Sequence, residues 1–281
     1  MKMDFAVPAP LEYFETLVRT NEPRLLFEAA ISIGQDAEPH LDVEKPLYQF
    51  DRMLKLLREC VPWAATSSLR LTILNQFFYT DLGFAGNHND FYNPENSYLH
   101  RVLETRRGIP ISLAVLWLEL AHGIGLQAHG VSFPGHFLVK VNLPEGVVVQ
   151  DPLTGRALSH EQLGEWLEPY REAWGVDADD MAPLELFLQP CAHREILARM
   201  LRNLKSIHQQ HEDHEAALAV LNRLITLMPT DWSEYRDRGL EHLASGERRF
   251  AIRDLQTYAK HAETAPDLEM VQAQLAMLRS A

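Results

Sequence analysis

The chain has 281 residues, 46% hydrophobic and 23% charged, the balance of a globular protein long enough for two domains, or one large domain with an appendage. Its 39 acidic against 26 basic side chains leave a formal charge of −13, and Arg106-Arg107 and Arg248-Arg249 are isolated pairs rather than a basic face, which excludes a nucleic-acid partner. Its two cysteines, Cys60 and Cys191, are too few and too far apart for a disulfide framework or a thiolate zinc cluster, and read as reduced, mostly buried thiols.

Met1 to Pro10 lacks the apolar core of a signal peptide, and no run reaches the roughly 18 to 20 apolar residues of a membrane span. The expectation is a cytoplasmic protein with no membrane partner; its oligomeric state is left open. Residues 10 to 86 then read as helices. Leu11, Phe14, Leu17 and Val18 keep one apolar face, and Leu25-Leu26-Phe27 with Ala29, Ala30 and Ile33 keep another before Gly34 closes the segment. Leu47 to Cys60 and Leu69 to Phe78 repeat the pattern. Between Leu82 and Pro94 the density of Gly and Asn marks an ordered loop, and Asn96-Ser97 is placed to cap a helix ending near Arg107.

Arg107 to Leu126 is the most uniformly apolar stretch of the chain. Between Pro110 and His122 only Ser112, Glu119 and His122 are clearly polar, so this helix lacks a solvent face and must be wrapped on most sides. Pro110 suits the first helical position, and Gly123 and Gly125 suit a left-handed stop. The period then becomes extended: Gln127–Phe133, His136–Asn142 and Val147–Asp151 are short β-rich runs separated by Pro134-Gly135 and Pro144-Glu145-Gly146, an antiparallel meander. His88, His100, His122, His129 and His136 include no i, i+4 pair with a helix-borne carboxylate, so ordinary hydrogen-bonded histidines are expected and no metal or cofactor.

Ser159-His-Glu-Gln162 has the form of a capping box opening a short helix. Residues 171 to 186, with Asp177, Asp179 and Asp180, read as an irregular acidic boundary. From Ala192 the chain is helical with an internal period, since Ala217 and Leu221 recur 34 positions later as Ala251 and Leu255, and Leu201 as Tyr235. That is the tetratricopeptide period, and so few units are expected to need the first domain for support. The His208, His211 and His214 run falls at an inter-helix turn and reads as exposed and polar.

Taken together, Gly83-Phe84-x-Gly86-Asn87, Asn93-Pro94-x-Asn96-Ser97, Arg107-Gly-Ile-Pro-Ile-Ser-Leu113, Val131-x-x-Pro134-Gly-His-Phe137 and Asp151-Pro152 resemble the bacterial SirB transglutaminase-like family, whose members carry tetratricopeptide-like repeats at the C-terminus. The resemblance implies an α+β fold: a transglutaminase or papain-like core of a central buried helix on a small antiparallel sheet, with N-terminal helices, followed by an all-α tetratricopeptide-like region. The expected domains are 1–175 and 187–281. It also implies a Cys, His, Asp triad, of which His136 and Asp151 match the last two. A hairpin turning near Pro144 to Gly146 would make them cross-strand or diagonal neighbours, within reach of the bond that orients a catalytic base. The spacing from Gly108, Ala114 and Gly125 puts the family's cysteine at position 110, which is Pro110 here. Ser112 lies about 200° further round the helix and is better read as a first-turn hydroxyl bonded to backbone.

The expected function is therefore a non-catalytic transglutaminase-like protein acting through a protein or peptide partner, with a regulatory role. The alternative is a hydrolase or acyltransferase using His136 and Asp151 with Ser112 or an activated water.

Overall fold

The computed structural model describes residues 8–20, 22–87, 89–174 and 183–280. The chain first forms α1 (Pro10–Val18), α2 (Pro23–Ser32), α3 (Glu44–Cys60), α4 (Ser67–Asn75), a π-helical turn at Gln76–Asp81, strand β1 (Ala85–Gly86) and α5 (Leu99–Thr105). Next come β2 (Arg107–Gly108), parallel to β1, then α6 (Pro110–Gly123), β3 (Gln127–Phe133), β4 (His136–Leu143) and β5 (Gly146–Gln150). Helices complete it: α7 (His160–Trp174), α8 (Leu184–Phe187), α9 (His193–Gln210), α10 (His214–Leu227), α11 (Trp232–Ala244), α12 (Arg248–His261) and α13 (Leu268–Ser280). No helix among the described residues is long and apolar enough to cross a membrane. By packing, the chain divides into two compact units, Asp42–Ile196 and Met1–Leu41 with Leu197–Ala281.

The first unit is built round α6. Ile111 to Leu118, Leu120 and Ala121 are all buried, as the absence of a polar face demands. Pro110 occupies the first turn, where its missing N–H costs nothing, and Gly125, at φ 78°, supplies the left-handed stop. Gly123 serves the packing instead. A Cβ there would lie 2.3 Å from Leu54 Cδ1, so only glycine lets α3 come this close. On another side of α6, β3, β4 and β5 form the antiparallel meander, with Phe133 paired to His136 and Leu143 to Gly146 across its two turns. Gly135, at φ 67°, allows the first turn. Val131, Phe133, Leu138 and Val149 share one sheet face and pack with Leu163 and Leu167 of α7 and Leu184 of α8. The Ser159 capping box forms as expected: Gln162 N–H donates to Ser159 Oγ, and Ser159 N–H to Gln162 Oε1.

The second unit carries the repeats. Ala217, Leu221, Ala251 and Leu255 are fully buried, and the α9–α10 and α11–α12 turns each place a left-handed residue, Glu212 (φ 55°) and Gly246 (φ 77°), again 34 positions apart. Gly239 of α11 meets Leu255 of α12 so closely that a Cβ would lie 2.8 Å from its Cγ, which is how the small-residue helix crossing is achieved. Arg202 and Lys205 of α9 bridge to Asp231, Glu234 and Asp237, tying successive repeats by charge.

Several expectations are revised. Helices α1 and α2, which periodicity groups with the first domain, pack with the repeats, α1 lying against α2 and α10. Amphipathic periodicity shows that a face is buried but not against what. Asn96-Ser97 does not cap α5, which begins at Leu99 with Tyr98 at its N-cap and no side-chain cap bond; Asn93 caps only the preceding 3-10 turn Pro94–Asn96, its Oδ1 accepting from Glu95 N–H. His208 is buried and His214 lies 2.8 Å from Glu241, so that run is not a plain exposed turn. Cys60 is exposed and Cys191 half-buried. His88 and the acidic residues Asp177, Asp179 and Asp180 lie outside the described residues.

Candidate functional site

Pro110 heads the buried helix, and its successor in the first turn, Ser112, has no exposed surface. The Ser112 hydroxyl donates to Asn96 O at 2.6 Å, with Ile109 O a second acceptor at 3.1 Å, while its oxygen accepts from Ile109 N–H. Those bonds hold the β2–α6 corner against the segment before α5. A hydroxyl so engaged and so buried is a structural pin.

His136 begins β4 on the face shared by Leu138, because successive strand residues alternate sides. Its imidazole stacks on Trp166 of α7 at a centroid distance of 4.2 Å. Asp151 follows β5 immediately. Continuing the register Val139↔Gln150 sets it opposite Leu138, diagonal to His136 on the same face, as the hairpin argument anticipates. The functional groups nevertheless go separate ways. Asp151 Oδ1 accepts from Leu153 N–H and Oδ2 from the Thr154 hydroxyl, both at 2.9 Å, so the carboxylate closes its own turn. Among the described residues no hydrogen bond or ion pair joins Asp151 to His136.

The other sheet face is held by a polar network that periodicity did not reveal. Trp117 Nε1 of α6 donates to Asn75 Oδ1 of α4 at 3.0 Å, and Asn75 Nδ2 donates to Gln150 Oε1 of β5 at 3.2 Å. All three positions lie in the interior or at its edge, Trp117 and Gln150 being almost wholly buried. Beside it the Tyr79 hydroxyl donates to Pro152 O at 2.9 Å. Burial first, and then the Asp151 charge, push the Tyr79 phenol far above its ordinary range, so it stays a neutral hydrogen-bond donor. Gly155, at φ 69°, leaves room for this ring, since a Cβ there would sit 2.3 Å from Tyr79 Cε2.

This arrangement, a buried helix headed by Pro110 and backed by a meander carrying His136 and Asp151, has relatives. Residues 44–202 match the model of the transglutaminase-like superfamily, and residues 204–276 match a tetratricopeptide repeat model. A UPF0162 protein of Xylella fastidiosa (strain Temecula1 / ATCC 700964) is 37% identical over 251 residues, 89% of this chain and 88% of the relative. The chain belongs to the transglutaminase-like superfamily, among the UPF0162 proteins. A UPF0162 protein of Vibrio cholerae is 28% identical over 252 residues, covering 89% of this chain and 91% of its own, and Protein SirB1 of Salmonella typhimurium is 26% identical over 232 residues, covering 81% and 82%. The expected fold class, a transglutaminase-like domain followed by tetratricopeptide-like helices, and the expected SirB resemblance both hold.

Proposed function

We propose that this transglutaminase-like protein has lost thiol chemistry and acts in the cytoplasm by binding a protein or peptide, with a regulatory rather than catalytic role. The observation that carries this reading is the dispersal of the would-be catalytic groups. By the spacing that the family resemblance implies, proline takes the place of the nucleophile; Ser112 is buried and bonded to backbone, and the Asp151 carboxylate bonds within its own turn. A nucleophile needs an adjacent base, and that base an orienting group. Ser112 instead donates to Asn96 O, and Asp151 accepts from Leu153 N–H and the Thr154 hydroxyl. The tetratricopeptide-like helices, a repeat type generally suited to protein partners, support the binding half of the proposal.

The test is intact-mass labelling of wild type, Ser112→Ala and His136→Ala with a thiol alkylator and a fluorophosphonate. The expected result is alkylation of the exposed Cys60 at the rate of an ordinary thiol, unchanged by His136→Ala, and no fluorophosphonate adduct. Stoichiometric modification of Ser112 that disappears in His136→Ala would overturn the reading in favour of a serine hydrolase or acyltransferase.

A further inference from the structure

Glu119 and His122 stand three residues apart on α6 and so share a helix face, while His193 is the first residue of α9. A carboxylate oxygen of Glu119 and one ring nitrogen of each histidine all lie within 4.8 Å of one another. We propose that these three residues form a binding site for a divalent cation of the zinc class, with water completing its coordination.

The chemistry of each ligand favours this. His122 Nε2 lies 2.8 Å from Ala128 O, a group that can only accept, so Nε2 carries the proton and Nδ1 keeps its lone pair. A backbone carbonyl holding the far nitrogen is the usual support of a metal-bound histidine. Glu119 is the converse case. Among the described residues its carboxylate has no hydrogen-bond or ion-pair partner, and it stands within reach of both imidazoles. An unpaired, largely buried carboxylate is the group a bound cation would stabilise most.

The donor set also selects the ion. Two imidazoles and one carboxylate without a thiolate suit zinc-like ions, whereas calcium and magnesium require more oxygens. Bonds of about 2.0–2.2 Å place tetrahedral donors about 3.4 Å apart, so atoms within 4.8 Å of one another need to close by at most about 1.4 Å, within reach of small side-chain rotations. His122 is exposed and gives the ion a path from solvent. Once bound, the ion would clip the end of α6 to the start of α9.

The experiment uses the full chain freed of metal with a chelator. Zinc is titrated calorimetrically, and cobalt(II) is followed by its visible d–d absorption, for wild type, Glu119→Gln, His122→Gln, His193→Gln and the control His211→Gln. One equivalent should bind to wild type and to the control, with at least tenfold weaker binding in each of the three ligand variants. Wild-type cobalt spectra should have the intensity of a four- or five-coordinate site. His122→Gln alters an exposed side chain, so circular dichroism should show its fold intact and make its loss of binding interpretable. Absence of saturable binding, or affinity unchanged in the ligand variants, would overturn the proposal.

Discussion

Replacing Asp36 with Ala tests the attachment of the N-terminal helices to the repeats. Asp36 receives two charge-assisted bonds from Arg223 of α10, Nε to Oδ2 and Nη2 to Oδ1, each 2.7 Å. The guanidinium is 1% exposed and lies over the Phe14 ring at 4.9 Å, and its Nη1 has no hydrogen-bond partner. Asp36→Ala thus removes both of the bonds that satisfy this buried cation. Charge-assisted bonds contribute about 1.5–3 kcal/mol apiece, and breaking a buried pair from one side costs about 3–5 kcal/mol in all; since the two figures overlap, the larger total is the expected loss. At 1.4 kcal/mol per decade that is two to three and a half decades in the unfolding equilibrium of this unit. Removing both charges, as Asp36→Ala with Arg223→Met, should cost less than Asp36→Ala alone, because no charge is left stranded. Urea unfolding of wild type, both single variants and the double variant measures this, and hydrogen exchange in α1, α2 and α10 locates it. A loss below about 1 kcal/mol for Asp36→Ala, or a double variant less stable than that single one, would refute the reasoning.

Asn75→Ala should destabilise the protein by about 1–3 kcal/mol, because the fully buried Trp117 indole N–H loses its acceptor and Gln150 its donor; urea midpoints check it, and a loss under about 0.5 kcal/mol would mean that the network is dispensable. His208 gives a pH dependence of definite sign. Burial is the main cause holding its pKa below 6.5, so the unfolded chain takes up the proton first. The neutral ring's contribution is fully present above about pH 6.5 and is lost as pH falls through and below that value. Urea midpoints from pH 7.5 to 5 should therefore fall less steeply for His208→Gln than for wild type.

Where function depends on local periodicity, the sequence was a good guide. The apolar run after Pro110 had to be a wrapped helix, and Gln127–Phe133 appears as a strand with the expected bounds. The spacing Ala217 to Ala251 marked the repeats because close helix crossings require small residues at fixed intervals. Contacts between distant segments were not legible. Nothing in α1 or α2 names α10 as their partner, nothing around Asn75 announces Trp117 and Gln150, and the π-helical turn at Gln76–Asp81 has no periodic signature. The Glu119 and His122 pair was visible at i, i+3 spacing, but a search for paired histidines passes over it, and His193 lies far along the chain. His136 begins β4 and Asp151 falls just past the end of β5, and the Trp166 stack and the Thr154 hydroxyl that engage them come from outside the hairpin motif.

That α1 and α2 pack with helices from the far end of the chain has a consequence for synthesis. Asp36 and Arg223 are 187 positions apart, so at about 5–20 residues per second a ribosome takes roughly ten to forty seconds to deliver the partner. Helices of 9 and 10 residues are too short to persist alone in water, so Phe14, Leu17, Leu26 and Phe27 spend that interval unburied. The charges interleaved with them, Glu12, Glu15, Arg19, Glu22, Arg24 and Glu28, would then keep the nascent segment soluble until α10 emerges. A ribosome-stalled chain ending before residue 214 should accordingly be cut by protease within residues 10–36, and one extended beyond residue 261 should resist.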